Sequence, residues 1–256
     1  MSYKGLFSCE DKVALVTGGA GLLGREIVQG LEEFGAHVYA ADVDREKAEP
    51  LLSENVQYLD FDISSEESVK DGISAVIDAK GKLDILVNCA YPRTDDWGAM
   101  FENIKLESWK KNLDTNLGGL FICCRAAAEQ MKKQGGGSLI NLASIYGVSA
   151  PDFSVYKGTE MTMPAAYAAI KGGVIALTRY IATYYGAHNV RANSVSPGGI
   201  LDRQPRPFVD RYSEKTPLGR MGKAQEVVGA VIYLASDASS YVTGENIMVD
   251  GGWTAW

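Results

Sequence analysis

The chain predicts an α/β fold, a doubly wound parallel sheet of seven strands with helices on both faces, and three observations carry that prediction. Short Val/Ile/Leu-rich runs alternate with longer stretches of helical character. Gly, Asp, Asn or Pro punctuates most of these runs. No linker, low-complexity tract or internal repeat breaks the alternation. Strands separated by helices pair in parallel through right-handed crossovers, and the resulting sheet must be covered on both faces. With 256 residues, 46% of them hydrophobic, the whole of 1–256 reads as one domain able to bury a large core.

The first strand, "KVALVTG" (12–18), runs into "TGGAGLLG" and a helix over 22–34. Gly18, Gly21 and Gly24 let the chain turn tightly and bring its backbone against a pyrophosphate, while the helix N-terminus offers free N–H groups to the anion. A glycine trio alone is only a glycine-rich turn. Followed by "HVYAAD" (37–42), a second strand ending in an acid, it predicts a Rossmann-like dinucleotide site. Asp42 can accept hydrogen bonds from both hydroxyls of an adenosine ribose and repels a 2′-phosphate, which favours NAD over NADP. A strand-end Asp can also cap the next helix, but Asp44 suits that cap better.

"VQYLDFD" (56–62), a helix over 65–79 and "LDILVN" (83–88) place Asp62 and Asn88 at the carboxyl edge of the sheet, where ligands bind in such folds. A helix over 107–133, "SLINLAS" (138–144), a helix over 164–186, "VRANSVS" (190–196) and "NIMVD" (246–250) complete the pattern.

A net charge of −7 and a pI near 5.0 argue against a nucleic-acid partner, whose backbone wants a basic face. No run of about 18 apolar residues appears, and "MSYKGLFSCEDK" lacks the uncharged apolar core of an export signal. The expectation is a soluble, cytoplasmic protein with no membrane partner. Cys9, Cys89, Cys123 and Cys124 form no C-x-x-C pair, and only His37 and His188 could assist them, so no metal site is expected.

Taken together, "TGGAGLLG", "NCA" (88–90), "NLGGLF" (116–121), "LAS" (142–144), "YAAIK" (167–171), "VRANSVSPGG" (190–199) and "LASDASSYVTGENIMVDGG" (234–252) resemble the short-chain dehydrogenase/reductase family over nearly the whole chain. The resemblance implies a catalytic tetrad of Asn116, Ser144, Tyr167 and Lys171. It implies cofactor contacts from Gly18, Gly21, Leu22, Leu23, Gly24, Asp42, Asp62, Ile63, Asn88, Ala90, Tyr167 and Lys171, with Pro197, Gly198 and Ile200 near the nicotinamide. Three features depart from the family pattern. The glycine spacing resembles the longer, sugar-nucleotide-modifying branch, whose C-terminal substrate domain this chain lacks. The threonine common after "PGG" is replaced by "ILDRQPRP". Tyr167 also lies 23 positions after Ser144, and counting forward at the usual spacing would select Tyr156.

Chemistry favours Tyr167. A hydride transfer at a carbonyl carbon needs a group that moves a proton at the oxygen. A free tyrosine, pKa about 10, holds its proton too tightly near neutrality, and a fixed ammonium nearby favours the phenolate. Positions i and i+4 share a helix face, so Tyr167 and Lys171 can enter one cleft; no other of the thirteen tyrosines has a lysine at i+4. Tyr156 has Glu160 there instead, which would raise a phenol's pKa. Ser144 would donate a hydrogen bond to the substrate oxygen; the plainer reading is a strand-end turn serine, and its position and partners favour the former. Asn116, inside an apolar helix, must be hydrogen-bonded; the family reading gives it a proton-relaying water, and the plainer one a bend in the helix.

The insertion at about 149–163 must lie beside the site. Its polar side chains, with "YPRTDDWG" (91–98) and "LDRQPRP" (201–207), predict a polyhydroxylated or phosphate-bearing carbohydrate as substrate, contacted by Arg93, Tyr156, Arg203 and Arg206. Three solvated surface loops would look the same. The insertion resembles the flagellin-modification or nonulosonic-acid branch, with gluconate-5-dehydrogenase-like enzymes nearby. A 3-oxoacyl thioester reductase and a catalytically silent nucleotide sensor or assembly protein are the rival readings. The two long apolar helices and the aromatic terminus "DGGWTAW" point to self-association, a homotetramer by resemblance and otherwise a homodimer.

Overall fold

Seven strands, β1 (Val13–Thr17), β2 (His37–Asp42), β3 (Val56–Asp60), β4 (Ile85–Asn88), β5 (Gly137–Leu142), β6 (Val190–Pro197) and β7 (Asn246–Val249), form one sheet in the computed structural model, which describes residues 2–256. Every pairing is parallel and the order is β3-β2-β1-β4-β5-β6-β7. The winding reverses between β1 and β4, and the crevice at such a switch point is where an open α/β sheet binds its ligand. Thr17 draws the two strand ends together there, its hydroxyl accepting from Cys89 N at 3.2 Å and Ala90 N at 3.3 Å.

Among the described residues eight α-helices connect or flank the strands: α1 (Leu22–Glu33), α2 (Arg45–Ala48), α3 (Glu66–Lys80), α4 (Leu106–Leu113), α5 (Gly119–Gln134), α6 (Ala165–Tyr185), α7 (Arg206–Glu214) and α8 (Gln225–Ala235). Side chains alternate along a strand, so β1 sends Leu15 to one core and Ala14 and Val16 to the other. Ile73 of α3, Met131 of α5 and Val174 of α6 cover the first face; Leu31 of α1 and Val231 of α8 cover the second. Local chemistry sets the helix ends. Ser65 caps α3 by accepting from Ser68 N at 3.2 Å, and Gly81, at φ +76°, closes it. Asp44 caps α2.

The helix expected over 107–133 is interrupted. Asp114–Gly118 forms a π turn between α4 and α5. Asn116 is the reason: its side-chain amide donates to Asn112 O at 3.0 Å, the carbonyl that an α-helix would reserve for the Asn116 backbone, and to Pro92 O at 2.8 Å. The widened turn thus ties the helix to the loop after β4. Close packing flanks it, since a Cβ on Gly119 would stand 2.8 Å from Ile63 O and one on Gly173 2.7 Å from Leu117 Cδ2. No described helix is long and apolar enough to cross a membrane.

Candidate active site

The loop from β1 to α1 is shaped by what its glycines omit. Gly18 has φ +65°, and a Cβ there would lie 2.7 Å from Ala90 Cα; a Cβ on Gly24 would lie 2.0 Å from Gly18 O. Gly19, which motif spacing did not select, is equally constrained, with Ala40 Cα 2.9 Å from its missing Cβ. Gly21 is the N-cap of α1 and has no side chain to satisfy the first-turn N–H groups. A backbone cradle at an uncapped helix start suits a pyrophosphate. Leu22 opens α1 half-exposed, whereas Leu23 packs into the core beneath. Asp42 ends β2 beside this cradle, its carboxylate accepting from Ala20 N at 3.0 Å and Asp44 N at 3.1 Å. The Tyr58 hydroxyl donates to Asp42 O at 2.8 Å. The residues present therefore fit a dinucleotide.

Other predicted cofactor positions divide. Asp62 is exposed and accepts from Ser64 N and Oγ at 2.8 and 2.7 Å. Ile63 buries its side chain in the core. The Asn88 side chain also turns inward, donating to Asn141 Oδ1 at 2.9 Å and Cys124 Sγ at 3.2 Å. Neither side chain is thus directed at a ligand. Ala90 stands beside Gly18. Pro197 ends β6, Gly198 N donates to Val249 O at 3.0 Å, and Ile200 bridges Gly222.

Ser144, Tyr167 and Lys171 come together at the carboxyl edge. Ser144 is buried at the end of β5; its hydroxyl accepts from Tyr146 N at 3.2 Å and stands beside the Tyr167 phenol. It is therefore both a turn serine and a neighbour of Tyr167. Lys171 Nζ lies 5.6 Å from the Tyr167 ring centre, on the helix face expected, and donates to Leu142 O at 2.6 Å. The electrostatics differ from expectation. Burial holds the Tyr167 phenol above its usual pKa, and Ser144 offsets this only in part. Burial also pushes the Lys171 ammonium down to about 8. With Lys171 Nζ 5.6 Å from the ring centre, desolvation of the phenol prevails over charge.

The residues expected on the substrate side fall in different settings. Tyr156, read as a substrate-loop tyrosine, lies in a buried turn. It closes a short 3₁₀ turn, Phe153–Tyr156, is buried, and packs its ring 5.2 Å from that of Phe208. The segment around it is not mainly polar towards the site: Val155, Tyr156, Met161 and Met163 join Tyr146, Tyr167, Phe208 and Tyr212 in one cluster, while Lys157 and Glu160 are exposed. Its polar groups anchor it instead, Asp152 pairing with Lys215 and Lys157 O accepting from Arg211. Arg206 opens α7, pairs with Asp210 at 2.7 Å and borders an outer hollow with Trp256. Arg203 lies on the exposed loop before it. Arg93 is exposed, with Cζ 5.8 Å from the Tyr91 ring centre.

Tyr91 and Trp97 are what the sequence reading underused. Tyr91 meets Tyr167 edge-on at 5.4 Å and Trp97 at 5.3 Å, and Lys171 Nζ lies 5.5 Å from its ring centre. The signal was positional: Tyr91 follows Ala90 at the end of the β4 run. Among the described residues no three His, Cys, Asp or Glu side chains gather into a metal-binding group.

Comparison with known proteins agrees with this geometry. The family model described as enoyl-(acyl carrier protein) reductase matches residues 19–254. The post-translational flagellin modification protein A of Campylobacter coli is 31% identical over 252 residues, covering 95% of this chain and 98% of that protein. A short-chain dehydrogenase from Leptospira borgpetersenii, solved with bound NAD+, superposes with a TM-score of 0.87 at 34% identity, covering 99% and 97% of the two chains. A gluconate 5-dehydrogenase from Burkholderia cenocepacia, solved with NADP and tartrate, gives 0.88 at 30% identity, covering 98% of each chain. With a seven-stranded parallel sheet, a glycine cradle at its switch point and a match of this extent, the chain belongs to the short-chain dehydrogenase/reductase family.

Proposed function

We propose that the chain, as a single dinucleotide-binding and catalytic domain, is an NAD-dependent oxidoreductase acting on a hydroxyl or keto group of a polar, carbohydrate-derived substrate. The observation that carries this reading is the placement of the Ser144 hydroxyl beside the Tyr167 phenol, with Lys171 on the ring face, at the sheet edge that also holds the glycine cradle. When bound, a nicotinamide dinucleotide accepts or supplies the hydride. Ser144 donates a hydrogen bond to the substrate oxygen and stabilises charge developing there. Tyr167 takes the hydroxyl proton during oxidation or returns it during reduction. Lys171 keeps positive charge beside the phenol and would hold the nicotinamide ribose; Asn116 braces the π turn against the loop after β4.

Asp42 supports NAD, because a carboxylate beside the cradle repels a 2′-phosphate. The flagellin-modification and gluconate relatives support a carbohydrate substrate; the acyl-carrier description of the family model favours the second reading, a 3-oxoacyl thioester reductase. Exposed Tyr180 and Tyr184, stacked 5.9 Å apart on α6, support self-association, a homotetramer or else a homodimer. The test is NAD(H)-linked turnover against sugars, sugar acids, sugar phosphates and acyl thioesters, with Tyr167→Phe alongside. Turnover of a carbohydrate that Tyr167→Phe abolishes is expected. Turnover of thioesters alone, or full activity of Tyr167→Phe, overturns the reading.

A further inference from the structure

Lys171 is a half-buried, desolvated cation without an anion. Among the described residues it forms no ion pair, and its hydrogen-bond acceptor is a single carbonyl, Leu142 O. The titratable groups facing it are the Cys89 thiol from the end of β4, the Tyr91 phenol from the following loop and the Tyr167 phenol on its own helix. Two aromatic faces, 5.5 and 5.6 Å from Nζ, stand where a carboxylate would ordinarily be. Ring faces are the negative side of the aromatic quadrupole, and their attraction for an ammonium grows when both are desolvated. Tyr91 also meets Tyr167 at 81° and Trp97 at 84°, both favourable edge-on geometries, and carries the Arg93 guanidinium at 5.8 Å. Its hydroxyl hydrogen-bonds no protein group among the described residues, so its ring makes these contacts.

We propose that Tyr91 is a positioning residue of the reaction: its ring face holds the Lys171 ammonium in its charged form, and its edge contact fixes the Tyr167 ring against Ser144. The proposal rests on the reading of Tyr167 and Lys171 as the catalytic pair. It makes the residue after Ala90 the substitute for a counter-ion, one that leaves the phenol oxygen of Tyr167 free of a competing carboxylate.

The test separates ring from hydroxyl. Tyr91→Phe should keep kcat within about twofold, while Tyr91→Leu should lower kcat about tenfold and move the Lys171 titration, near pH 8, down by about one pH unit. Fluorinated phenylalanines at position 91 preserve the ring's shape while draining its quadrupole, so they keep the test open if Tyr91→Leu does not fold; each added fluorine should move the titration further down. Lys171 is read directly in the resting protein by NMR of reductively ¹³C-methylated lysines, its resonance identified by its absence in Lys171→Arg. That readout needs no substrate, so failure of the functional reading, seen as activity in Tyr167→Phe, is distinguishable from failure of this one. A titration unmoved by Tyr91→Leu or by fluorination, or a Tyr91→Phe enzyme as impaired as Tyr91→Leu, overturns the proposal.

Discussion

Replacing Lys171 with Met should stabilise the protein at neutral pH while abolishing turnover. The unfolded chain keeps the lysine proton up to 10.5, and the folded protein only to about 8. That gap corresponds to roughly 3 kcal/mol of burial cost carried by the folded state when the group is charged. The folded pKa is the lower one, so between about 8 and 10.5 the unfolded state binds more protons and stability rises with pH. The full cost is present below pH 8 and is relieved as the pH climbs towards 10.5. Methionine removes the charge but also the hydrogen bond to Leu142 O, 2.6 Å long, which offsets about 1 kcal/mol. The net gain at pH 7 is on the order of 2 kcal/mol, or about 4–8 °C in Tm for a chain of this length. Thermal melts of wild type and Lys171→Met, followed by circular dichroism at pH 7 and 10.5, measure it. The gain should shrink with pH and change sign once the wild-type lysine is neutral. A variant less stable than wild type at pH 7, or a gain independent of pH, would refute the reasoning.

Three further outcomes follow from the geometry. Asp42→Ala should lower kcat/KM for NAD by about 10- to 100-fold, the worth of a charge-assisted hydrogen bond, and raise that for NADP, as assays with both cofactors would show. Gly24→Ala places a Cβ 2.0 Å from Gly18 O; the loop must open, costing about 1–3 kcal/mol, and dinucleotide binding measured by fluorescence titration should be lost. Lys215 holds the Asp152 carboxyl down at about 2, so this pair contributes above the ordinary carboxylate range and is lost as the pH falls towards 2. Because both side chains are partly exposed, Lys215→Met should cost under about 1 kcal/mol in stability. Its larger effect should be faster proteolysis within 149–163 and a several-fold higher substrate KM, with kcat unchanged.

The strands, the glycine cradle and the Tyr167–Lys171 pair were legible because each rests on local periodicity or fixed spacing. Apolar runs of strand length need only their own residues to be recognised, and i, i+4 adjacency holds on any helix. What was not legible depends on where a side chain goes once the chain has folded. Asn116 breaks a helix that its neighbours favour, because its amide takes the Asn112 carbonyl and reaches Pro92 across a loop. Arg206 pairs with Asp210 one helical turn on and borders an outer hollow with Trp256, a placement its loop's own letters could not give. The polar letters of 149–163 suggested a polar wall, whereas Val155, Tyr156, Met161 and Met163 supply the inward surface and Asp152 anchors the segment to Lys215. The sign of the Tyr167 shift differs for the same reason: a nearby lysine favours the phenolate, but burial of the phenol outweighs it. A composition count weighs Tyr91 and Arg93 as two members of a polar loop. The folded chain instead sets the ring against Lys171 and Tyr167 and leaves the arginine at the rim.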